Sequence, residues 1–358
     1  MILEDSIFKS FIIDSYGYIL FLGVAILLLF QKDKRKHYIF LSVLIIFAGL
    51  RSGLGTDFVN YSKWYNSTIN DKYLEIGYVG IMNLFTYFNL SIYHIQFLIF
   101  TGTILFISLA LKKYTINLKY AWFFYLIFPY FFLYSFILMR QYLAIAILFW
   151  SFHFLLKNKL WQYTMAILIG SLLHYSCLLA GLLVLGLFYI SKIVTRKQIL
   201  FFLAVSLPFA FINWVQFFGY FFEDTKYEGY FLAKNMIPVN YFKLVILNIE
   251  ALIILYFYDE LIKLKPLNKD FIVIAIFAFI LANIFASVNH LFRFSLYFKF
   301  FELIVLVEIA YLNRKRIFVI SLITLYGLSL FFNGLWFDYK MPEKHTKLAP
   351  YKNIIFNR

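Results

Sequence analysis

Long apolar stretches alternate with short polar joints along nearly the whole chain. Runs long enough for helices occupy residues 11–30, 38–50, 92–111, 120–137, 141–156, 160–174, 175–190, 199–219, 241–258, 271–288, 294–312 and 317–334. A helix needs about 20 residues to cross a hydrocarbon core of about 30 Å, with tilt and flanking residues adding slack. The pattern therefore predicts an all-α, polytopic membrane bundle of about 12 transmembrane helices.

Basic residues decide which ends lie inside. Lys32, Lys34, Arg35 and Lys36 follow the first run, Lys112 and Lys113 the third, and Lys157 and Lys159 the fifth. Lys192, Arg196 and Lys197 follow the seventh, Lys263, Lys265 and Lys269 the ninth, and Arg314, Lys315 and Arg316 the eleventh. Twelve crossings with both termini outside put all six clusters in the cytoplasm, as the positive-inside rule asks. Residues 75–89 are apolar too, but a crossing there would turn most later clusters outward. They are read as an interfacial or re-entrant helix on the external side. Between two basic clusters, 160–190 reads as a pair of short helices bent around an external cavity with His174 and Tyr175 near its floor. One long tilted helix is the competing reading. The whole of 1–358 is expected to be a single membrane domain, with external segments at 51–74, 220–240 and 335–358.

Composition agrees. Hydrophobic residues make up 63% of the 358 and charged residues 14%, with 47 Phe and 29 Tyr; mean hydropathy is +0.80. A soluble domain of this length carries far more charge. The net charge of +15 sits in the joints between runs and not on one soluble face, which argues against a nucleic-acid partner. Cys177, the single cysteine, excludes an intrachain disulfide and a Cys-based metal cluster, and no His and carboxylate pair has metal-ligand spacing. Glu4 and Asp5 precede the first run and no Ala-x-Ala site follows it, so insertion is expected to rely on the first transmembrane helix.

The charges left over carry the chemistry, because charge at membrane depth is costly and is usually functional or paired. Arg51, Asp57, Arg140, His174 and Arg293 all fall at external helix ends or loops, which suggests one outward cavity. Arg51 opens the stretch Arg51-Ser52-Gly53-Leu54-Gly55-Thr56-Asp57-Phe58-Val59-Asn60-Tyr61. Gly53 and Gly55 would let backbone N–H groups approach a ligand, with Thr56 and Asp57 to bond or orient it; a helix C-cap with an Arg–Asp surface pair is the plainer alternative. Arg140-Gln141 begins a returning helix, and a guanidinium fork suits phosphate or carboxylate, although an arginine there can also snorkel to the interface. His174-Tyr175-Ser176 interrupts an apolar run; a neutral imidazole can take a proton from a hydroxyl, or serve as a hydrogen-bonded structural group. His94 and His153 sit at helix ends, and His290 neighbours Arg293. Pro350-Tyr351-Lys352 lies in a polar tail with Tyr339, Lys340 and Lys344, where an ordinary turn is the plain reading.

Taken together, these elements resemble the EpsG-like polysaccharide polymerases, related in role to the Wzy-type O-antigen and capsule polymerases of bacteria. The residues that carry the resemblance are the Arg51-to-Tyr61 loop, Arg140-Gln141 with Leu143-Ala144, His174-Tyr175-Ser176, Arg293 with Tyr297-Phe298, and Pro350-Tyr351. They are spread in order over most of the chain, and Cys177 stands where a small residue such as Ala is expected. The resemblance implies a multi-pass protein of the bacterial inner membrane with its active site facing outward. It would join a growing glycan on undecaprenyl pyrophosphate to the sugar hydroxyl of a lipid-linked repeat unit, with inversion and without a cofactor. Lipid-linked glycans and a chain-length regulator protein are the partners implied. His174 or Asp57 would act as base and Arg140 in catalysis. Arg51, Gly53, Gly55, Thr56, Tyr61, Gln141, Tyr175, Arg293 and Tyr351 would hold pyrophosphate or glycan. The competing functions are an O-antigen ligase-type transferase, a lipid-linked oligosaccharide flippase or other transporter, and a structural membrane partner. Short external segments argue against the first, one-sided charge against the second, and the membrane-embedded arginines against the third.

Overall fold

The computed structural model describes residues 2–55, 57–66, 74–216, 238–340 and 348–355. Among them every regular element is helical, and each of the predicted apolar runs contains a helix. In chain order they are α1 (Ile2–Asp14), α2 (Tyr16–Phe30), α3 (Lys34–Gly49), α4 (Phe58–Asn66), α5 (Ile76–Tyr87), α6 (Ile92–Tyr114), α7 (Leu118–Ile127), α8 (Met139–Leu156), α9 (Leu160–Leu173), α10 (Ser176–Ile193) and α11 (Arg196–Ser206). Then come α12 (Tyr241–Tyr256), α13 (Tyr258–Leu264), α14 (Asn268–Ile284), α15 (Asn289–Phe294), α16 (Leu296–Leu312) and α17 (Ile317–Lys340). Of the three expected external segments, 51–74 lacks Thr56 and 67–73 among the described residues and most of 220–240 lies outside them, while 335–358 begins as the last turns of α17.

The chain is an all-α membrane protein. Four of the described helices, α6, α8, α10 and α17, are each long and apolar enough to cross a bilayer alone. Two bent pairs bring the number to six: the end of α1 with α2, at 41°, and α12 with α13, at 50°. That is fewer than the twelve crossings expected: α3, α9, α14 and α16 are only 16, 14, 17 and 17 residues long, and two further runs are interrupted. The run 120–137 is not one helix, because Pro129 lacks an N–H and forces the residue before it out of the helical region. Phe128 is accordingly extended, at φ −92° and ψ 119°, and α7 stops at Ile127. A 3-10 turn at Leu133–Phe136 follows before α8 begins. Pro208 likewise ends the run 199–219 in a 3-10 turn soon after α11. His174 and Tyr175 separate α9 from α10, so the two-helix reading of 160–190 holds over the single long helix.

The chain divides into two compact units. The first comprises Met1–Trp150, Ile169–His174 and Asn313–Arg358. In it α2 and α3 pack together, α6 lies along α3, and α7 lies between α2 and α17. The broken stretch from Ala121 to Phe136 is almost entirely buried at its centre. Non-helical backbone at membrane depth is tolerated where protein covers it and satisfies its polar groups. Here the Tyr134 N–H donates to the Pro129 carbonyl at 2.9 Å, the Tyr142 hydroxyl donates to the Tyr130 carbonyl, and Arg51 donates to the Phe136 carbonyl at 3.3 Å.

The second unit comprises Ser151–Leu168 and Tyr175–Leu312. Its centre is α14, which packs against α10, α11, α12, α13 and, most extensively, α16. Nearly every residue of α14 and α16 is buried, whereas large apolar side chains on α10 and α12 point outward, as lipid-facing surfaces do.

Candidate active site

The first unit assembles a charged cluster from three distant segments. Glu75 is the N-cap residue of α5, yet its side chain does not cap its own helix. One carboxylate oxygen accepts from Arg140, in the first turn of α8, and the other lies 2.9 Å from His174 Nδ1. Side-chain exposure is 5% for Glu75, 12% for Arg140 and 29% for His174, so the imidazole is the most accessible member.

Local packing explains why these segments meet. Gly77, in the first turn of α5, lies against the end of α9; a Cβ there would stand 2.6 Å from the Leu172 carbonyl oxygen and 2.7 Å from the Leu172 Cβ. Only a residue without a side chain lets the two backbones approach so closely, and the approach carries His174, two residues on, to Glu75. Around Arg140 stand three rings: Tyr61 and Trp64, one turn apart on α4, and Tyr78 on α5. Their centroids lie 5.2, 5.3 and 4.9 Å from the guanidinium carbon, within cation–π range, and the guanidinium also bonds the Tyr61 side chain. Arg140 Nε and the Tyr78 hydroxyl are buried there without a hydrogen-bond partner among the described residues.

Electrostatics keep the cluster charged. Burial on its own raises the Glu75 carboxyl, but the hydrogen bond with His174 and the nearby Arg140 charge outweigh it and hold Glu75 below the usual glutamate range. The arrangement offers a delocalised cation for an oxyanion and an imidazole whose Nδ1 is already engaged.

Several sequence-predicted residues belong to this cluster or its wall: Arg140, His174 and Tyr61. Gln141 is buried next to Arg140, and Asp57 begins the turn into α4, its backbone carbonyl accepting from the Tyr61 N–H. Thr56 lies outside the described residues. Tyr175 and Arg293 belong to the second unit; Tyr175 is exposed and Arg293 partly so.

Arg51 lies inside the first unit. It is 1% exposed, and its guanidinium donates to the carbonyls of Ala48 and Phe136 and lies over the Phe136 ring at 4.7 Å. Gly55, at φ +92°, sits where a Cβ would be 2.6 Å from the Phe136 carbonyl oxygen, while Gly53, at φ +62°, has open space around it. The Arg51–Gly55 turn therefore covers the break before α8 and lends Phe136 its missing donor.

Tyr351 supports the same turn. Its ring stacks on Phe47 at 4.0 Å, its hydroxyl donates to the Phe47 carbonyl, and Arg51 pairs with Asn353 in an isolated antiparallel bridge.

The sequence reading missed Glu75, Trp64, Tyr78 and Gly77. A signal for the first was present: Glu75 is an acid at the mouth of the apolar external segment 75–89. Its two partners, 65 and 99 residues away in sequence, could not be read from spacing.

Comparison with known proteins adds one finding. A family model described as the EpsG family matches residues 34–353, a span that includes every member of the cluster. No curated protein and no solved structure matches the chain.

Proposed function

The chain belongs to the EpsG family, and from that membership and the cluster's chemistry we propose that it is a membrane glycosyltransferase that polymerises undecaprenyl-pyrophosphate-linked repeat units. The product is an O-antigen, capsular or exopolysaccharide. In this reading a sugar hydroxyl of the acceptor attacks the anomeric carbon of the donor glycan from the face opposite the leaving group. The bond from that carbon to the pyrophosphate oxygen breaks with its electron pair, undecaprenyl pyrophosphate leaves, and the anomeric centre inverts.

His174 takes the hydroxyl proton, and Arg140 meets the charge that develops on the pyrophosphate. Arg140 suits that task because its fork is planar and permanently charged. Of the two candidate bases, the geometry favours His174 over Asp57, since only the imidazole is held by the carboxylate that also holds Arg140. Arg51, Gly55 and Tyr351 shape the neighbouring turn and do not contact substrate.

The single observation that carries the reading is that an EpsG-family chain brings an arginine from α8 and a histidine from the joint between α9 and α10 onto one buried carboxylate. The lysine-rich joints support twelve crossings in the bacterial inner membrane, with local bilayer thinning and flanking residues accommodating the shorter helices. This would place the ends that carry Glu75, Arg140 and His174 outside.

The test is a strain lacking this chain, followed by complementation. Accumulated single-repeat lipid-linked units are the expected phenotype; unligated long polymer would replace the reading with a ligase, and units trapped on the inner leaflet with a flippase. Complementation by Arg140→Ala or His174→Ala should fail, although both variants reach the membrane. Arg140→Lys keeps the charge but loses the fork, and should fail nearly as badly.

A further inference from the structure

Glu75 is the one member of the cluster that no family motif singled out. Its side chain is 5% exposed, and each of its oxygens faces a partner, Arg140 on one side and His174 on the other. It has no surface left for substrate, so whatever it does, it does through those two.

Its protonation state follows from its setting. A guanidinium lies directly against one oxygen, inside an enclosure walled by Tyr61, Trp64 and Tyr78, and an arginine in a protein does not give up its proton. Beside it the carboxylate is ionised and can only accept. The 2.9 Å contact therefore requires that His174 Nδ1 carry the hydrogen. A neutral imidazole with its hydrogen on Nδ1 presents its lone pair at Nε2, on the opposite edge of the ring.

We propose that Glu75 is the positioning residue of the site: it fixes His174 in the Nδ1–H tautomer with Nε2 free for the acceptor hydroxyl, and it anchors Arg140 for the pyrophosphate. This inference rests on the transferase reading for its chemical meaning. In the step itself the hydroxyl proton passes to Nε2 and the hydroxyl oxygen bonds the anomeric carbon. The bond to the pyrophosphate oxygen breaks, with the electron pair leaving on that oxygen. The imidazolium that forms is then stabilised by the Glu75 carboxylate on its other side. Arg140 and Glu75 cancel one another before the proton moves, so the site begins neutral and gains its positive charge as the leaving group gains its negative one. Among the described residues, the other titratable groups of this cluster are Tyr61 from α4 and Tyr78 from α5.

Two measurements test this on the full chain in nanodiscs. The first needs no turnover. With histidine labelled in its ring nitrogens, and the His174 signal assigned by its loss in His174→Ala, wild type should show Nδ1–H and Glu75→Gln a shift toward Nε2–H, the form preferred in water. Nε2–H in the wild type, or the same tautomer in both, overturns the inference.

The second is extension of lipid-linked repeat units extracted from the deletion strain. A base contributes about 10²–10⁴ in rate, so Glu75→Gln should lose at least about tenfold. Glu75→Asp, which keeps the carboxylate, should recover the Nδ1–H tautomer and part of the rate. A Glu75→Gln variant with wild-type rate also overturns the proposal. Wild type that fails to extend the units while its tautomer responds to Glu75→Gln would instead defeat the transferase reading and leave the positioning role standing.

Discussion

Arg51 and Arg140 show what a side chain's partners decide. Both are arginines at helix ends among aromatic residues, and on sequence grounds both were candidates for a phosphate. Arg51 spends its fork on two backbone carbonyls of its own unit and acts as a buried brace. Arg140 shares a carboxylate with a partly exposed histidine, and so retains a route to a ligand. No property of the residue type separates the two cases; the difference lies in whether the nearest acceptor is fixed backbone or another functional side chain. The Glu75 carboxylate also makes a prediction about pH. Its folded-state pKa is depressed, because the His174 hydrogen bond and the Arg140 charge outweigh the effect of burial. A group of that kind adds stability that is present above the usual glutamate range and is lost as pH falls through the depressed value. The difference in melting temperature between wild type and Glu75→Gln should therefore be level through neutral pH and shrink in acid. A difference that grew on acidification would mean that the carboxyl is held protonated.

At the scale of the element, the positions of the helices were legible and their interruptions only partly so. Pro129 and Pro208 stand openly in the sequence, but that the first break lies in the core of a unit, fed by an arginine from another loop, depends on packing. The same is true of α5. Its apolar stretch was read as an external helix, while its role as the platform for Glu75 depends on Gly77 meeting the end of α9. Gly77→Ala should cost about 1–3 kcal/mol by overpacking and lower polymer synthesis by moving His174 from Glu75. Gly80→Ala, with nothing within 4 Å, should stabilise α5 by up to about 1 kcal/mol and leave synthesis unchanged. Equal effects in melting and glycan-length measurements would contradict the argument. A second element-level prediction concerns α16 and α12, where Lys299 lies 3.1 Å from Glu250 and 2.6 Å from Glu302. Lys299→Met leaves two buried carboxylates facing one another and should cost about 3–5 kcal/mol. Glu302→Gln leaves a matched pair and should change stability far less; thermal unfolding of the two variants in one detergent compares them. A larger loss in Glu302→Gln would show that Lys299 is not what balances the cluster.

At the scale of the whole molecule, the charge pattern makes the sharpest claim. If lysine-rich joints lie in the cytoplasm, then cysteines introduced at Ser52 and Ser176, in a chain whose buried Cys177 has been changed to Ser, should react with an impermeant reagent from outside. A cysteine at Lys157 should react only after permeabilisation, and the reverse pattern would overturn the orientation. By itself the sequence determined that the chain lives in a membrane, that it is built of helices, and where most of them start and stop. These properties are sums of local terms: apolar transfer, backbone hydrogen bonding in lipid and the stopping power of proline act on each segment almost independently. It also supplied the short set of polar residues worth watching. What only the tertiary structure decided is which of them meet. Glu75 joins Arg140 and His174 across 65 and 99 residues, while Arg51 is drawn into a brace under the tail that carries Tyr351. Those pairings depend on how closely one backbone can approach another and on which buried charge finds a counter-charge. Both are set by the packed chain and not by any stretch of it read alone.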